Sequence, residues 1–124
     1  MATFSKLKLS GSVDGRGIKV TGNSNAALTT IHATPTANTL ITDELWLYAV
    51  NSSATTAKLT LLWGGTSDPD DTVEISVAGE SGLVLLIPGL MLQSNTGANA
   101  RTVTAFANTA SVINIHGYVN RIEP

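Results

Sequence analysis

Apolar and polar residues alternate along much of this chain with a period of two, which is the pattern of half-buried β-strands. The clearest example is residues 72–77, where Val, Ile and Val alternate with Thr, Glu and Ser. Residues 6–9 (Lys-Leu-Lys-Leu) alternate in the same way over a shorter length. No window of 11 or more residues has the 3.6-residue period of a helix, so the pattern predicts an all-β protein.

Turn-forming residues separate these segments every 8 to 12 positions, a spacing typical of β-sandwiches and barrels. The predicted strand segments are residues 6–9, 18–20, 27–33, 43–51, 57–63, 72–77, 83–87, 90–93, 101–107 and 111–119. We expect an antiparallel two-sheet sandwich, in the form of a jelly roll of about 8 strands. An immunoglobulin-like sandwich is the alternative.

Two short polar connections predict hairpins. Residues 51–56 are expected to reverse the chain, so that segment 57–63 pairs with segment 43–51. Residues 108–110 are placed to join segments 101–107 and 111–119 as a final hairpin. The Pro88-Gly89 pair predicts a further turn between two apolar segments.

Residues 83–87 (Leu-Val-Leu-Leu-Ile) do not alternate, so apolar side chains leave this strand in both directions. In a two-layer domain the opposite sheet covers only one of the two faces. We therefore predict that a second subunit covers the other face. The candidate residues for this oligomer interface are Leu83, Leu85, Ile87, Leu90 and Leu92.

The length of 124 residues suits a single domain. A glycine-rich loop at residues 10–17 follows the first predicted strand and separates it from the rest. We accordingly divide the chain into an N-terminal segment or arm at residues 1–15 and one β-sandwich domain at residues 16–124.

Composition points to a neutral, polar surface. Only 13% of the residues are charged, whereas Thr, Ser and Asn together number 37. Such a surface is typical of a protein whose faces are covered in an assembly, and a hyperstable monomer is the alternative. The net charge of −2 and the scattered Lys and Arg residues give no attraction for a polyanion, so we expect no nucleic-acid partner.

The chain has no cysteine, no apolar run near the roughly 20 residues of a membrane span, and no apolar stretch of the secretory type after Lys6. Disulfides, thiolate metal sites and cysteine nucleophiles are excluded. We expect no membrane partner, and folding in the cytoplasm where the protein is made.

Catalytic constellations are missing from the sequence. The string around Ser81 (Gly-Glu-Ser-Gly) lacks the spacing of a hydrolase nucleophile elbow and is typical of a turn. His32 and His116 each lie within a predicted strand, where a structural hydrogen bond is the ordinary role. The alternative places both histidines at one subunit interface as a pH-sensitive contact. We expect no enzymatic activity and no cofactor.

Two further groups have both a structural and a functional interpretation. Asp68, Asp70 and Asp71 form a solvated turn before a strand, or else supply oxygen ligands for calcium. Trp46, Tyr48 and Trp63 pack against the core or a sheet face, or else form an aromatic platform for sugars.

Several stretches together resemble small virion proteins of tailed bacteriophages, in particular head decoration (cement) proteins. These stretches are Lys6-Leu7-Lys8-Leu9-Ser10-Gly11-Ser12, Asp14-Gly15-Arg16-Gly17-Ile18-Lys19-Val20, Asp43-Glu44-Leu45-Trp46-Leu47-Tyr48-Ala49 and Ile115-His116-Gly117-Tyr118-Val119. The resemblance implies a homotrimer on the outer capsid surface of the virion, with the major capsid protein as its partner. It implies no catalysis.

On this interpretation residues 1–20 dock on the capsid, with Lys6, Leu7, Lys8 and Leu9 as the candidate contacts. Deletion of residues 2–12 is then expected to abolish capsid binding and leave the domain folded. Two other functions stay open from the sequence: a carbohydrate-binding, lectin-like module that uses Trp46, Tyr48 or Trp63, and a structural protein of the tail or baseplate.

Overall fold

The computed structural model describes residues 2–36, 40–94 and 100–124, and these residues form nine β-strands and no helix. The strands, in chain order, are β1 (Thr3–Lys8), β2 (Ile18–Lys19), β3 (Thr29–Ala33), β4 (Thr42–Asn51), β5 (Ala57–Trp63), β6 (Thr72–Val77), β7 (Val84–Gln93), β8 (Thr102–Ala107) and β9 (Ile113–Glu123). The prediction of an all-β chain is confirmed.

The strands form two antiparallel sheets that pack face to face. The five-stranded sheet has the order β1-β9-β4-β7, and the short β2 pairs with β9 beside β1. The four-stranded sheet has the order β3-β8-β5-β6. The predicted two-sheet antiparallel sandwich is therefore confirmed. The jelly-roll form stays a prediction, and it is favoured because the chain changes sheet between most pairs of successive strands.

The core lies between the sheets and follows the period-two pattern of each strand. In β4 every second side chain is buried, including Leu45, Leu47 and Ala49. Their counterparts in the other sheet include Leu59 and Leu61 of β5, which are also fully buried. β4 thus has an inner face that forms the core and an outer face that is partly exposed, whereas on the outer side of β5 Lys58 is exposed and Thr60 and Leu62 are buried.

The two predicted hairpins are wrong. β4 and β5 belong to different sheets, and so do β8 and β9, so both polar connections cross from one layer to the other. Among the described strands, β5 and β6 are the one pair of consecutive strands that hydrogen-bond to each other. A short run of Asn, Ser and Thr suits a crossing as well as a hairpin, so local turn chemistry does not distinguish them.

Asn51 fixes the first of these crossings. Its buried side-chain amide donates to the carbonyl oxygens of Thr55 and Val77, both at 2.9 Å. Its side-chain oxygen accepts from the backbone N–H of Ser53 at 3.0 Å and from the Ser53 hydroxyl. Because Val77 ends β6 of the opposite sheet, these bonds direct the chain across the sandwich.

The predicted turn at Pro88-Gly89 is also wrong, because β7 continues through both residues. The register with β4 pairs Leu45 with Leu90 and Trp46 with Pro88, which leaves Gly89 as an extra residue in a bulge. Gly89 has a φ of 81° and lies under the indole ring of Trp46. Proline is tolerated here because β7 is an edge strand.

Candidate functional site

We call the solvent side of the five-stranded sheet the outer face. Opposed residues of antiparallel strands point to the same side of a sheet, so the registers define its members. They are Phe4, Lys6 and Lys8 of β1; Asn114, His116, Tyr118, Asn120 and Ile122 of β9; Thr42, Glu44, Trp46, Tyr48 and Val50 of β4; and Leu85, Pro88, Met91 and Gln93 of β7. The outer face thus combines aromatic, apolar and basic side chains.

An aromatic and polar cluster occupies the middle of the outer face. The rings of Trp46 and Tyr118 are stacked at 6.2 Å between centroids with an angle of 7° between their planes. The ammonium group of Lys6 lies 4.6 Å from the centre of the Tyr118 ring, a cation–π distance. The Trp46 indole N–H donates to Glu44 Oε1 at 2.7 Å, and the Asn120 amide donates to the same oxygen at 3.0 Å.

These two hydrogen bonds hold the Glu44 carboxylate in its charged form. The bond from Trp46, and after it the bond from Asn120, lowers the pKa of Glu44 below its ordinary value. The carboxylate in turn fixes the plane of the indole ring. The cluster therefore presents an aromatic surface with an acceptor and an amide beside it.

One edge of the same sheet is apolar. Leu83 precedes β7 and is 59% exposed, and Leu85, Leu90 and Met91 of β7 are 49%, 44% and 65% exposed. The ten residues of β7 include no charged side chain. Because β7 is the last strand of its sheet, its outer backbone edge has no strand partner in the described part of the chain.

The structure divides the predicted interface residues into two groups. Leu83, Leu85 and Leu90 are exposed and could contact a second subunit. Ile87 and Leu92 belong to the hydrophobic core, where they are 6% and 5% exposed, so their side chains face the opposite sheet. Met91 is more exposed than either Leu85 or Leu90, and the sequence analysis did not select it.

The predicted capsid contacts divide in a similar way. Lys6 and Lys8 of β1 are exposed, whereas Leu7 is half-buried against the core and Leu9 is fully buried. The N–H of Gly11 donates to the carbonyl of Ile31 in β3. Deletion of residues 2–12 would remove a core side chain as well as an edge strand, so substitutions of the two lysines are the cleaner test.

The three aromatic residues proposed as a sugar platform do not lie together. Trp46 and Tyr48 are on the outer face of the five-stranded sheet, whereas Trp63 ends β5 in the other sheet. The Trp63 indole N–H donates to the backbone carbonyl of Met91 at 3.1 Å. The partner of Trp46 is instead Tyr118, which the period-two pattern of residues 113–123 would have placed on the outer face.

His32 is a structural residue in a buried network that joins the two sheets. Its Nε2–H donates to Asp43 Oδ2 at 2.7 Å, and its Nδ1 accepts from the N–H of Ser10 at 3.1 Å. Arg121 binds both oxygens of the same carboxylate, from Nε at 2.8 Å and from Nη2 at 2.9 Å. His32 belongs to β3 and Asp43 to β4, so the network spans the sandwich.

This histidine and aspartate are not arranged as a catalytic pair. His32 and Asp43 are 1% and 0% exposed, and a backbone N–H occupies the ring nitrogen that a general base would need. Burial by itself raises the pKa of Asp43, but the hydrogen bonds from Arg121 and then His32 outweigh burial and lower it. His116 lies on the outer face, on the opposite side of the sheet from Asp43, so the two histidines do not meet within one chain.

The acidic loop is organised as a turn. Asp71 Oδ2 accepts from the N–H of Ser67 at 3.0 Å, and the N–H of Asp71 donates to the carbonyl of Ser67. In the part of the chain that the structure describes, no three His, Asp or Glu side chains converge in a way that could hold a metal ion. The bonds to Ser67 give Asp71 a structural role in the turn.

Comparison of the chain with protein-family models, with curated proteins and with solved structures finds no match. Residues 2–36, 40–94 and 100–124 contain no helix long and apolar enough to cross a membrane.

Proposed function

We propose that this chain is a non-enzymatic structural protein of a virion: a decoration or cement protein that binds the outside of a bacteriophage capsid and stabilises it as a homotrimer. Its partner is then the major capsid protein, and its location is the outer capsid surface. The observation that carries the proposal is the apolar, uncharged edge strand β7.

β7 has the properties of a surface that is covered in an assembly. Long apolar edge strands favour uncontrolled pairing, and monomeric proteins usually protect them with charges, prolines, bulges, short lengths or covering loops. β7 is ten residues long, has no charge, and is flanked by the exposed Leu83. Its bulges and Pro88 limit continuous strand pairing, which favours a contact through side chains such as Leu85 and Met91.

The positions of the two edges support separate roles for them. β1 and β7 lie at opposite edges of the five-stranded sheet, with β9 and β4 between them. A subunit contact through β7 therefore leaves β1 accessible. Lys6 and Lys8 are exposed on β1, which makes them the capsid contacts that this arrangement favours.

The energetic logic of a cement protein needs no single strong contact. A protein that binds the assembled shell and not its free subunits stabilises the shell by mass action. A trimer engages three sites at once and gains from effective concentration. A neutral surface rich in Thr, Ser and Asn suits this role, since most of it only has to remain soluble.

The test is co-sedimentation with expanded heads, stripped of their own decoration protein, from the phage whose genome encodes this chain. We expect the protein to sediment with these heads and to raise the temperature at which they release DNA. The double variant Lys6→Ser/Lys8→Ser should weaken binding about tenfold or more. The matched control Lys58→Ser/Arg101→Ser removes the same charge outside the five-stranded sheet and should bind normally.

Absence of the wild-type protein from the head pellet would overturn the proposal. Equal weakening by both double variants would show that net charge, and not β1, governs the binding. Recovery of the protein with purified tails rather than with heads would instead favour a structural role in the tail or baseplate.

A carbohydrate-binding module is the second candidate, and the stacked Trp46 and Tyr118 rings favour it. Aromatic faces pack against sugar rings, and the Glu44 carboxylate and Asn120 amide beside them could bind hydroxyl groups. A glycan array tests this function directly. Specific binding that is lost in Trp46→Ala and kept in Trp63→Phe would support the module, and an array without signal would exclude the glycans tested.

A further inference from the structure

A concave site separate from the aromatic cluster lies at the end of the outer face, between the glycine-rich loop and β9. It is an open cleft of about 450 Å³. Asn114 and His116 of β9 and Val50 of β4 form its floor. Its wall is formed by Gly11, Val13, Arg16, Gly17, Ile18 and Lys19. Its size is in the range of small-molecule sites in proteins.

The wall of the cleft is a defined structure. The Ser12 hydroxyl donates to the carbonyl of Arg16 at 2.7 Å, and the N–H of Arg16 donates to the carbonyl of Val13 at 2.9 Å. Gly17 lies directly against His116, because a Cβ at Gly17 would be 2.7 Å from Nε2 of the imidazole. Arg16 is therefore held at the rim by a closed turn.

The charges that line the cleft all have one sign. Arg16 and Lys19 are positive, and no Asp or Glu among the described residues lines the cleft. The nearest acid in sequence, Asp14, is exposed at the tip of the loop. Four of the other five Lys and Arg side chains contact a partner: Tyr118 for Lys6, the Ser12 carbonyl for Lys8, Glu74 for Lys58 and Asp43 for Arg121.

Among the described residues, the side chains of Arg16, Lys19 and Arg101 make no such contact. Two of these three free cations thus line one cleft. An arginine presents a planar set of donors that matches carboxylate, sulfate and phosphate oxygens, and a lysine adds a point charge. The Asn114 amide can donate a neutral hydrogen bond, and Val13, Ile18 and Val50 offer apolar contacts to whatever bears the anion.

We propose that this cleft binds a small organic anion, a molecule of monosaccharide size that bears a carboxylate, sulfate or phosphate group. Arg16 and Lys19 bind the anionic group, and Val13 and Val50 contact the remainder. The proposal does not depend on the decoration function, because the cations that it uses are Arg16 and Lys19, whereas the capsid contacts are Lys6 and Lys8 and the subunit contact is the apolar edge of β7.

The experiment uses three ligands that share one ring and differ at a single position: glucose, glucuronate and glucose 6-phosphate. Each is titrated into the isotope-labelled protein at constant ionic strength, and the backbone amide shifts are followed by NMR. We expect glucuronate, glucose 6-phosphate or both to shift the amides of Gly17 and Asn114, and glucose to leave them unchanged. The stronger of the two acids identifies the anionic group.

Three charge-removing variants make the test specific. Arg16→Gln and Lys19→Gln should each weaken anion binding about tenfold, which is the size expected for a lost charge-assisted hydrogen bond. Arg101→Gln removes an equally free cation elsewhere and should leave binding within about twofold of the wild type. Circular dichroism checks that each variant is folded, and the two cleft variants serve as independent tests.

Three outcomes would overturn the proposal. The first is no shift with either acid at concentrations of tens of millimolar. The second is equal binding of glucose, which would show that the site does not select for charge. The third is equal weakening by Arg101→Gln, which would show that the long-range field of the protein accounts for the effect.

Discussion

Asp43 is the charged residue at the centre of the buried hydrogen-bond network between the two sheets. A charged carboxylate with no solvent exposure is costly unless it is paired, and Asp43 is paired by a bidentate arginine and a histidine. Through His32 the same network reaches the backbone of Ser10. One side chain therefore joins β4, β9, β3 and the N-terminal loop.

Asp43→Asn is expected to destabilise the protein by about 3 to 5 kcal/mol, because it leaves the Arg121 charge without a partner in a mostly buried position. Urea denaturation of the two proteins at pH 7 measures this difference. The control is Glu74→Gln, which breaks the exposed ion pair with Lys58 and should leave the free energy of unfolding nearly unchanged. Equal effects of the two substitutions would contradict the role assigned to the network.

The same carboxylate predicts how stability depends on pH. The pKa of Asp43 is lowered in the folded protein, so its contribution is complete above its ordinary value of 3.8 and is lost as the pH falls through the lower folded value. We expect the free energy of unfolding of the wild type to fall between about pH 4 and pH 2 by more than that of Asp43→Asn. Parallel curves for the two proteins would contradict this.

The sequence shows the members of this network but not their contact. His32 and Asp43 are 11 residues apart and lie in strands of different sheets, and Arg121 lies 78 residues beyond Asp43. Single-strand periodicity assigns each residue to a face of its own strand. It carries no information on which faces meet, so the network could be found only from the assembled structure.

At the scale of elements, Asn51 decides where β4 leads. Its side-chain amide bonds to Ser53 and Thr55 within the connection and to Val77 at the end of β6, and the side chain is fully buried. The Asn51-Ser52-Ser53 sequence has the appearance of an ordinary polar turn. Its function in the fold is to attach the end of one sheet to the end of the other.

Asn51→Ala should destabilise the protein by at least about 2 kcal/mol, since it leaves the Val77 carbonyl and the Ser53 N–H without their bonds. Chemical denaturation measures the loss. The matched control, Asn114→Ala, truncates a half-exposed asparagine on the outer face and is expected to change stability by less than about 0.5 kcal/mol. A loss of the same size in both variants would contradict the specific role of Asn51.

β7 gives the second prediction at this scale. Light scattering coupled to size exclusion should find a trimer for the wild type and a monomer for Leu85→Asp, because a charge cannot be buried in an apolar contact without a partner. Leu85 is 49% exposed, so the variant should keep its fold. The control Val13→Asp alters an exposed apolar residue away from β7 and should stay trimeric.

If the wild-type protein is monomeric at every concentration, the subunit contact assigned to β7 is wrong. An unchanged oligomer in Leu85→Asp would move the contact away from β7.

The strands themselves were largely predictable, and their partners were not. Segments such as residues 43–51, 57–63 and 72–77 agree closely with β4, β5 and β6, because alternation is a property of a single strand. The choice between a hairpin and a crossing depends on which apolar faces meet, a property of pairs of distant strands. The bulge at Gly89 was missed for a similar reason, since Pro-Gly is a turn signal that an edge strand can also contain.

At the scale of the whole molecule, the two sheets are expected to unfold together. The protein has two tryptophans, and each sheet contains one: Trp46 in β4 and Trp63 in β5. A single-tryptophan variant therefore reports on one sheet. The shared core and the buried Asp43 network favour one cooperative transition.

Trp46→Phe and Trp63→Phe test this expectation. In each variant the fluorescence midpoint in urea should coincide with the midpoint from far-ultraviolet circular dichroism, because loss of either sheet exposes the core of both. The comparison is made within each variant, so any change in stability caused by the substitution cancels. Separate midpoints in either variant would contradict a single cooperative unit.

The central place of β9 has a consequence for synthesis. β9 pairs with β1, β2 and β4, yet it follows all three in the sequence. β1 and β2 therefore leave the ribosome long before β9, the strand with which they pair. The edge of β4 that pairs with β9 also has no partner until β9 has been made. Nascent chains of this protein should stay sensitive to protease until residues 113–123 have emerged from the exit tunnel, and then become resistant in a single late step.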